Sequence, residues 1–188
     1  SATSASEMFA RVSGGGFSAR SIPFGRITNA AVGDSTFYVG TQDAWEIRAH
    51  DTSGRLRRLV RVNRQAVPVS DDLRARFIDE ALAQAEDEAE RRRMRQTFDE
   101  IPFGDFVPPY GSLAVDALGH LWVSDAALPG EDVTGWSIFA PDGTLVGRLD
   151  LPAGARLLDI RADRLLTRIT DDLGVERVRL LRLHRPAA

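Results

Sequence analysis

The chain contains no cysteine, which excludes disulfides, thiolate metal sites and cysteine nucleophiles. It also contains no lysine, so all 24 basic side chains are arginine. That bias is the signature of a GC-rich genome; an anion-binding surface would further require the arginines to cluster in space. Histidine is scarce, and His50, His120 and His184 show no H-x-H, H-x-x-H or His-carboxylate spacing. Each therefore reads as a structural strand residue. No apolar run approaches the roughly 18 residues of a membrane-spanning helix, so no transmembrane segment is expected. The formal net charge of −3 gives no general argument for nucleic acid or an anionic membrane as a partner. G-x-S-x-G, P-loop and G-x-G-x-x-G signatures are missing, and Gly14-Gly15-Gly16 opens no helix, so it reads as a linker. The first residues, SATSAS, are too polar for the core of a signal peptide. With a signal segment removed upstream, a periplasmic or secreted location is favoured over the cytoplasm.

What is present is a repeat. At 188 residues and 43% hydrophobic content, a single domain over 1–188 is expected. Residues 1–16 read as a flexible N-terminal segment, interrupted by a strand candidate at Met8–Val12; Phe17–Ile22 alternates as a half-buried strand does. Ile22-Pro23-Phe24-Gly25 then opens a unit of four short strands: Asn29–Val32, Thr36–Gly40, Trp45–His50 and Leu56–Val62. Turns at Gly33-Asp34-Ser35 and Asp51-Thr52-Ser53-Gly54 make it an antiparallel meander. Ile101-Pro102-Phe103-Gly104 opens a second unit, with strands in Ser112–Val115, His120–Asp125, Trp136–Ala140 and Thr144–Leu151. Its turns are Asp116-Ala117-Leu118-Gly119 and Pro141-Asp142-Gly143, and a longer gap, Ala126–Gly135, parts its second and third strands. A third unit holds Arg156–Ile160, Arg164–Thr170 and Glu176–His184, the last two joined at Asp171-Asp172-Leu173-Gly174, and lacks its outer strand.

Between the first two units, 70–98 has helical character. Ser70 is a good N-cap, Asp71 and Asp72 complement the helix dipole, and Leu73, Phe77, Ile78, Ala81, Leu82 and Ala85 recur at helical spacing. Glu86–Arg95 is almost wholly charged, and the spacing predicts an exposed helix broken near Asp87. Its charged face reads as a solvated surface, with a partner-binding arm as the alternative.

Four-stranded units at a period of about 40–50 residues are the sequence sign of a β-propeller. VGDSTFYVG and VDALGHLWVSD as inner hairpins, with WEIRAHDTSGRLRRLVRV and WSIFAPDGTLVGRLDL as outer hairpins, resemble the bacterial six-bladed propellers of the NHL-like and TolB-like superfamily. The resemblance spans Phe17–His184. It implies an all-β fold of about three four-stranded blades, half of a six-bladed ring, with a helical insertion. Three blades leave apolar faces and strand edges open, so the expectation is a longer propeller or a homodimer of three plus three blades. Met8–Val12 or Phe17–Ile22 would supply the strand missing from the last blade, as propellers of this kind commonly close.

Propeller topology places Gln42, Asp43, Tyr110, Asp125 and Glu131 at the channel mouth, as candidate ligand-binding residues. Trp45, Trp122 and Trp136 fall where one blade packs on the next, so they read as core. No acid, base and nucleophile stand together, and no catalytic or metal-binding residue is assigned. The first reading is a non-enzymatic binding and assembly module for a protein, peptide or glycan, without a cofactor. The alternative is a divalent-metal-dependent, lactonase-like hydrolase, with Ca²⁺ held by Asp125, Glu131 and Asp132. Against it, the EF-hand order of ligands is missing, and neither Asn29 nor Asn63 sits in a lactonase-like motif.

Overall fold

A computed structural model describes residues 3–13, 16–170 and 174–185. The parts of the expected turn Asp171-Asp172-Leu173-Gly174 and of the glycine linker at 171–173 and 14–15 lie outside the described residues, as do residues 1–2. The fold is all-β with a short helical insertion, and its sheets are antiparallel.

Each sheet follows from local chemistry. In the first, β4 (Ile27–Val32), β5 (Thr36–Gly40), β6 (Glu46–Asp51) and β7 (Leu56–Arg61) run as a meander. The second is β8 (Leu113–Val115), β9 (Leu121–Ser124), β10 (Val133–Phe139) and β11 (Leu145–Pro152). The third is β12 (Arg156–Ile160), β13 (Arg164–Thr170) and β14 (Glu176–Arg182). Gly54, Gly119 and Gly143 close their hairpin turns with φ of 81°, 84° and 89°, a conformation glycine adopts without a Cβ penalty. The gap before β10 is shorter than the sequence suggests, because Val133 and Thr134 pair with Pro152 and Leu151.

Three strands lie in the described part of the N-terminal segment. β1 (Thr3–Ser6) adds a fifth strand to the first sheet beside β4. β2 (Met8–Ser13) and β3 (Gly16–Ser21) pair with each other as a two-stranded ribbon. Among the described residues they do not join the third sheet, which has three strands. A two-residue connection at 14–15 makes local pairing of β2 and β3 nearly unavoidable, since loop closure over so short a distance costs little.

The sheets stack face on face. Ala31, Tyr38, Trp45, Ile47, Ala49 and Val60 of the first unit meet Leu113, Leu121, Val123 and Phe139 of the second, with Tyr110 between them. On its other face the second sheet sets Trp122, Trp136, Ile138 and Leu151 against Ile160 and Leu165 of the third. All three tryptophans are thus core residues, as period-2 alternation requires.

The helical insertion is α1 (Asp71–Ala83) and α2 (Glu88–Glu100), capped by Ser70 and Asp87 side chains that accept from Leu73 N and Glu90 N. It is not merely a solvated arm. Phe77 of α1 and Phe98 of α2 pack with Phe24 and Phe103, the phenylalanines of the two IPFG copies, at centroid distances of 5.3 to 6.4 Å. Gly104 N donates to the Pro23 carbonyl at 2.9 Å, so the two copies, far apart in sequence, form one base for the helices. Val69 N to Asp105 O (2.9 Å) and Val107 N to Val67 O (2.8 Å) tie the neck below.

Candidate functional site

A cleft of about 1550 Å³ lies at the loop end of the first two sheets, beside the neck of the helical insertion. Its walls are the β5–β6 loop, the strands of the neck and the β9–β10 loop. Three of the five residues expected at a ligand face line it as exposed or half-buried side chains: Asp43, Asp125 and Glu131. The other two are buried, Gln42 within the lining of the cleft and Tyr110 outside it.

Tyr110 is fully buried. It packs edge-on to Trp45 at 5.5 Å, and its ring lies against Gly40, where a Cβ would collide with it. Burial pushes its phenol pKa up; the hydroxyl donates to Glu46 O at 3.3 Å and accepts from Gln42 N at 3.1 Å. Gln42 is 4% exposed and sits at φ 61°, unusual for a non-glycine residue. Its Oε1 accepts from Ile27 N (2.6 Å), and its Nε2 donates to Tyr110 O (2.5 Å). Both residues hold the β5–β6 loop onto the second unit. Their side chains turn inward, and the buried Gln42 amide finds the partners it requires there.

The cleft's electrostatics are a set of arginine–carboxylate clusters. Asp125 accepts from Arg64 and from Arg148, each at 2.9 Å. Arg26 binds both Glu7 (2.6 Å) and Asp43. The Thr41 hydroxyl first, and the Arg26 guanidinium with it, hold Asp43 below its ordinary pKa. Glu46 takes Arg61 at 2.7 Å and Arg48 at 3.0 Å, and is lowered chiefly by the Arg61 hydrogen bond. Such exposed pairs add little stability; they fix which charges are left uncompensated.

The carboxylates of the alternative Ca²⁺ reading have other surroundings. Asp125 is committed to two guanidiniums, while Glu131 is exposed on the loop, where Gly130 N donates instead to Glu80 of α1 at 3.2 Å. Among the described residues no group of three or more histidines or carboxylates is placed to hold a metal ion. Asn29 donates to Gly111 O at 2.8 Å, bridging the first two units, and Asn63 lines the cleft wall.

One polar centre escaped the sequence reading. Asp116, in the turn before β9, has a fully buried carboxylate. It accepts from Leu118 N and His120 N (2.9 Å each), from Trp122 Nε1 (3.0 Å) and from Arg185 Nη2 (2.6 Å). Burial pushes its pKa up, but the donors, Trp122 first among them, outweigh it and hold Asp116 below its ordinary value. His120 Nδ1 stands 3.2 Å away, and Arg185 lies over the Trp122 ring at 5.9 Å. The i, i+4 spacing of Asp116 and His120 across a glycine turn was the available signal. This centre is enclosed and latches the end of the third unit to the second; it is not open to a ligand.

Compared with known proteins, the chain matches no family model, and no curated protein matches it. No helix among the described residues is long and apolar enough to cross a membrane.

Proposed function

We propose that the protein is a non-enzymatic binding and assembly module, three blades of a six-bladed propeller of the NHL-like kind that a second copy completes. The observation that carries this is an equivalence between faces. Tyr38 and Trp122 hold the same place in their units, and each is buried against the sheet that follows. Leu121 and Val123, one position to either side, are buried against the sheet before. In the first sheet those backward positions are Phe37 and Val39, and Phe37 is 41% exposed with Val32 beside it at 53%. In the third sheet Leu165 and Thr167 face backward and are buried, while Leu166 faces forward with Val178 and Leu180, which are 63% and 62% exposed.

The chain thus presents one open backward face and one open forward face, the two kinds that already pack twice within it. A two-fold axis pairs them in both directions and covers both. The ribbon fits the same scheme. β3 stands directly before the first IPFG, and β7 is the last strand before the second, with the helical insertion between, so β3 occupies the chain position of an outer strand. Among the described residues the third sheet holds three strands with β14 at its edge, a natural site for strand addition from a second copy. A lone two-stranded ribbon is marginal in water.

Light scattering on a sizing column tests the proposal. A mass twice the 20.6 kDa of the chain at micromolar concentration is expected; a clean monomer across the concentration range overturns it.

A further inference from the structure

We propose that the cleft is a docking site for a basic peptide segment carrying apolar residues beside its cationic ones. The cleft lies within the first two units and the helical neck of one chain, so this inference stands whether or not the ring closes. Eight carboxylates and three guanidiniums line it among the described residues, an excess of five negative charges where the whole chain carries only −3. The lining is therefore more acidic than the chain as a whole, and the remaining residues taken together carry a small net positive charge. Clefts lined by one sign of charge focus their field on what enters.

The three guanidiniums do not offer anion sites. Arg26, Arg61 and Arg64 are already held by Glu7 and Asp43, by Glu46, and by Asp125. By contrast Asp105, Glu131, Asp132 and Asp150 are exposed and have no ion-pair partner among the described residues. Asp125, Gly135 and Asp150 form one row at the ends of β9, β10 and β11. A Cβ at Gly135 would meet Asp125 Oδ2, Arg148 Nη2 and Asp150 Oδ1, at 2.5, 3.2 and 3.4 Å. Glycine there makes room for the Asp125–Arg148 pair and leaves Asp150 exposed beside it.

The other wall is apolar. Val67, Phe106 and Val133 are each about half exposed, at 52%, 54% and 51%, and Pro108 and Pro109 lie beside them in the lining. A small cation alone would leave those side chains in water; an anionic or purely polar glycan would meet uncompensated carboxylates. A segment with arginine or lysine next to apolar residues satisfies both walls, which is charge and surface complementarity of the kind that selects partners.

The test is fluorescence anisotropy with a labelled peptide in which lysine alternates with leucine, against the same peptide with glutamate in place of lysine. The lysine peptide is expected to bind, to weaken steeply with added salt, and to lose about tenfold or more in affinity to Asp132→Asn with Asp150→Asn. As a control for net charge, Glu88→Gln with Asp99→Asn removes two carboxylates from α2, away from the cleft, and is expected to leave affinity within about twofold. No binding of the lysine peptide, equal binding of the glutamate peptide, or equal losses in both double variants each overturns the proposal. The masses of the same samples report the ring separately.

Discussion

Replacing Arg185 by alanine tests how much of the stability of the third unit rests on a single buried carboxylate. Arg185 donates to Asp116 Oδ2 at 2.6 Å and to Ala162 O at 3.0 Å, and covers the Trp122 ring. Asp116 would keep the donors from Leu118 N, His120 N and Trp122 Nε1, so it is not stranded in the way that makes a broken buried pair cost 3–5 kcal/mol. One hydrogen bond to a charged group is worth about 1.5–3 kcal/mol, and a central value of about 2 lowers Tm by roughly 4–8 °C for a chain of this size. Asp116→Asn should cost more, about 3 kcal/mol, because an amide NH₂ facing Trp122 Nε1 and Arg185 sets donor against donor. The pH dependence has a definite sign. Asp116 is held below its ordinary carboxylate value in the folded protein. Its contribution is therefore complete above about pH 4 and is lost as pH falls through the lowered folded value. Without Arg185 one lowering partner is gone and burial remains, so the acid limb of the stability profile moves to higher pH. Urea unfolding followed by circular dichroism, at fixed protein concentration between pH 3 and 7, measures both effects. A variant within about 0.5 kcal/mol of the parent at pH 7, with an unmoved acid limb, would refute the role assigned to this pair.

Three further outcomes follow from the packing. Gly104→Ala puts a methyl into the Phe24 carbonyl, where backbone must yield, and should cost about 1–3 kcal/mol; an unchanged urea midpoint would contradict the close approach of the two IPFG copies. Phe77→Ala removes the ring that touches Phe24, Phe98 and Phe103 and should cost about 2 kcal/mol, since the site is partly exposed. Limited proteolysis should then cut α1 and α2 first, while the near-ultraviolet signal of the three tryptophans, all in the sheets, stays; simultaneous loss of both would mean that the insertion and sheets unfold as one. Leu180→Asp places a charge on the open forward face and should shift the protein to monomer with native far-ultraviolet circular dichroism; a mass unchanged from the parent would contradict the use of that face.

The sheets were legible because their signals are local. Turn glycines at 54, 119 and 143 and alternation such as Tyr38 against Phe37 decide strand boundaries within a few residues, and the caps Ser70 and Asp87 set both helix starts. What was not legible depends on contacts made through space. The IPFG copies read as punctuation, yet Phe24 and Phe103 seat the helices together. Gln42 and Tyr110 read as ligand-facing because topology locates a sheet end without saying which side chains turn in; Gly40, which makes room for the Tyr110 ring, carries that answer only once the two are known to be neighbours. The acid excess of the cleft was invisible for the same reason. Its carboxylates come from the N-terminal segment, the β5–β6 loop, β6, the neck, the β9–β10 loop and β11, and a net charge of −3 averages them against arginines elsewhere.

The pairing of the two open faces can be read without disturbing the native chemistry, because the chain has no cysteine. Phe37→Cys and Leu180→Cys proteins, each prepared alone and then mixed to allow exchange of subunits, would be treated with a short bismaleimide. A covalent dimer formed in the mixture, well above either protein alone, is the result expected if the backward face of one copy meets the forward face of another. A mixture that cross-links no more than the separate proteins would contradict it.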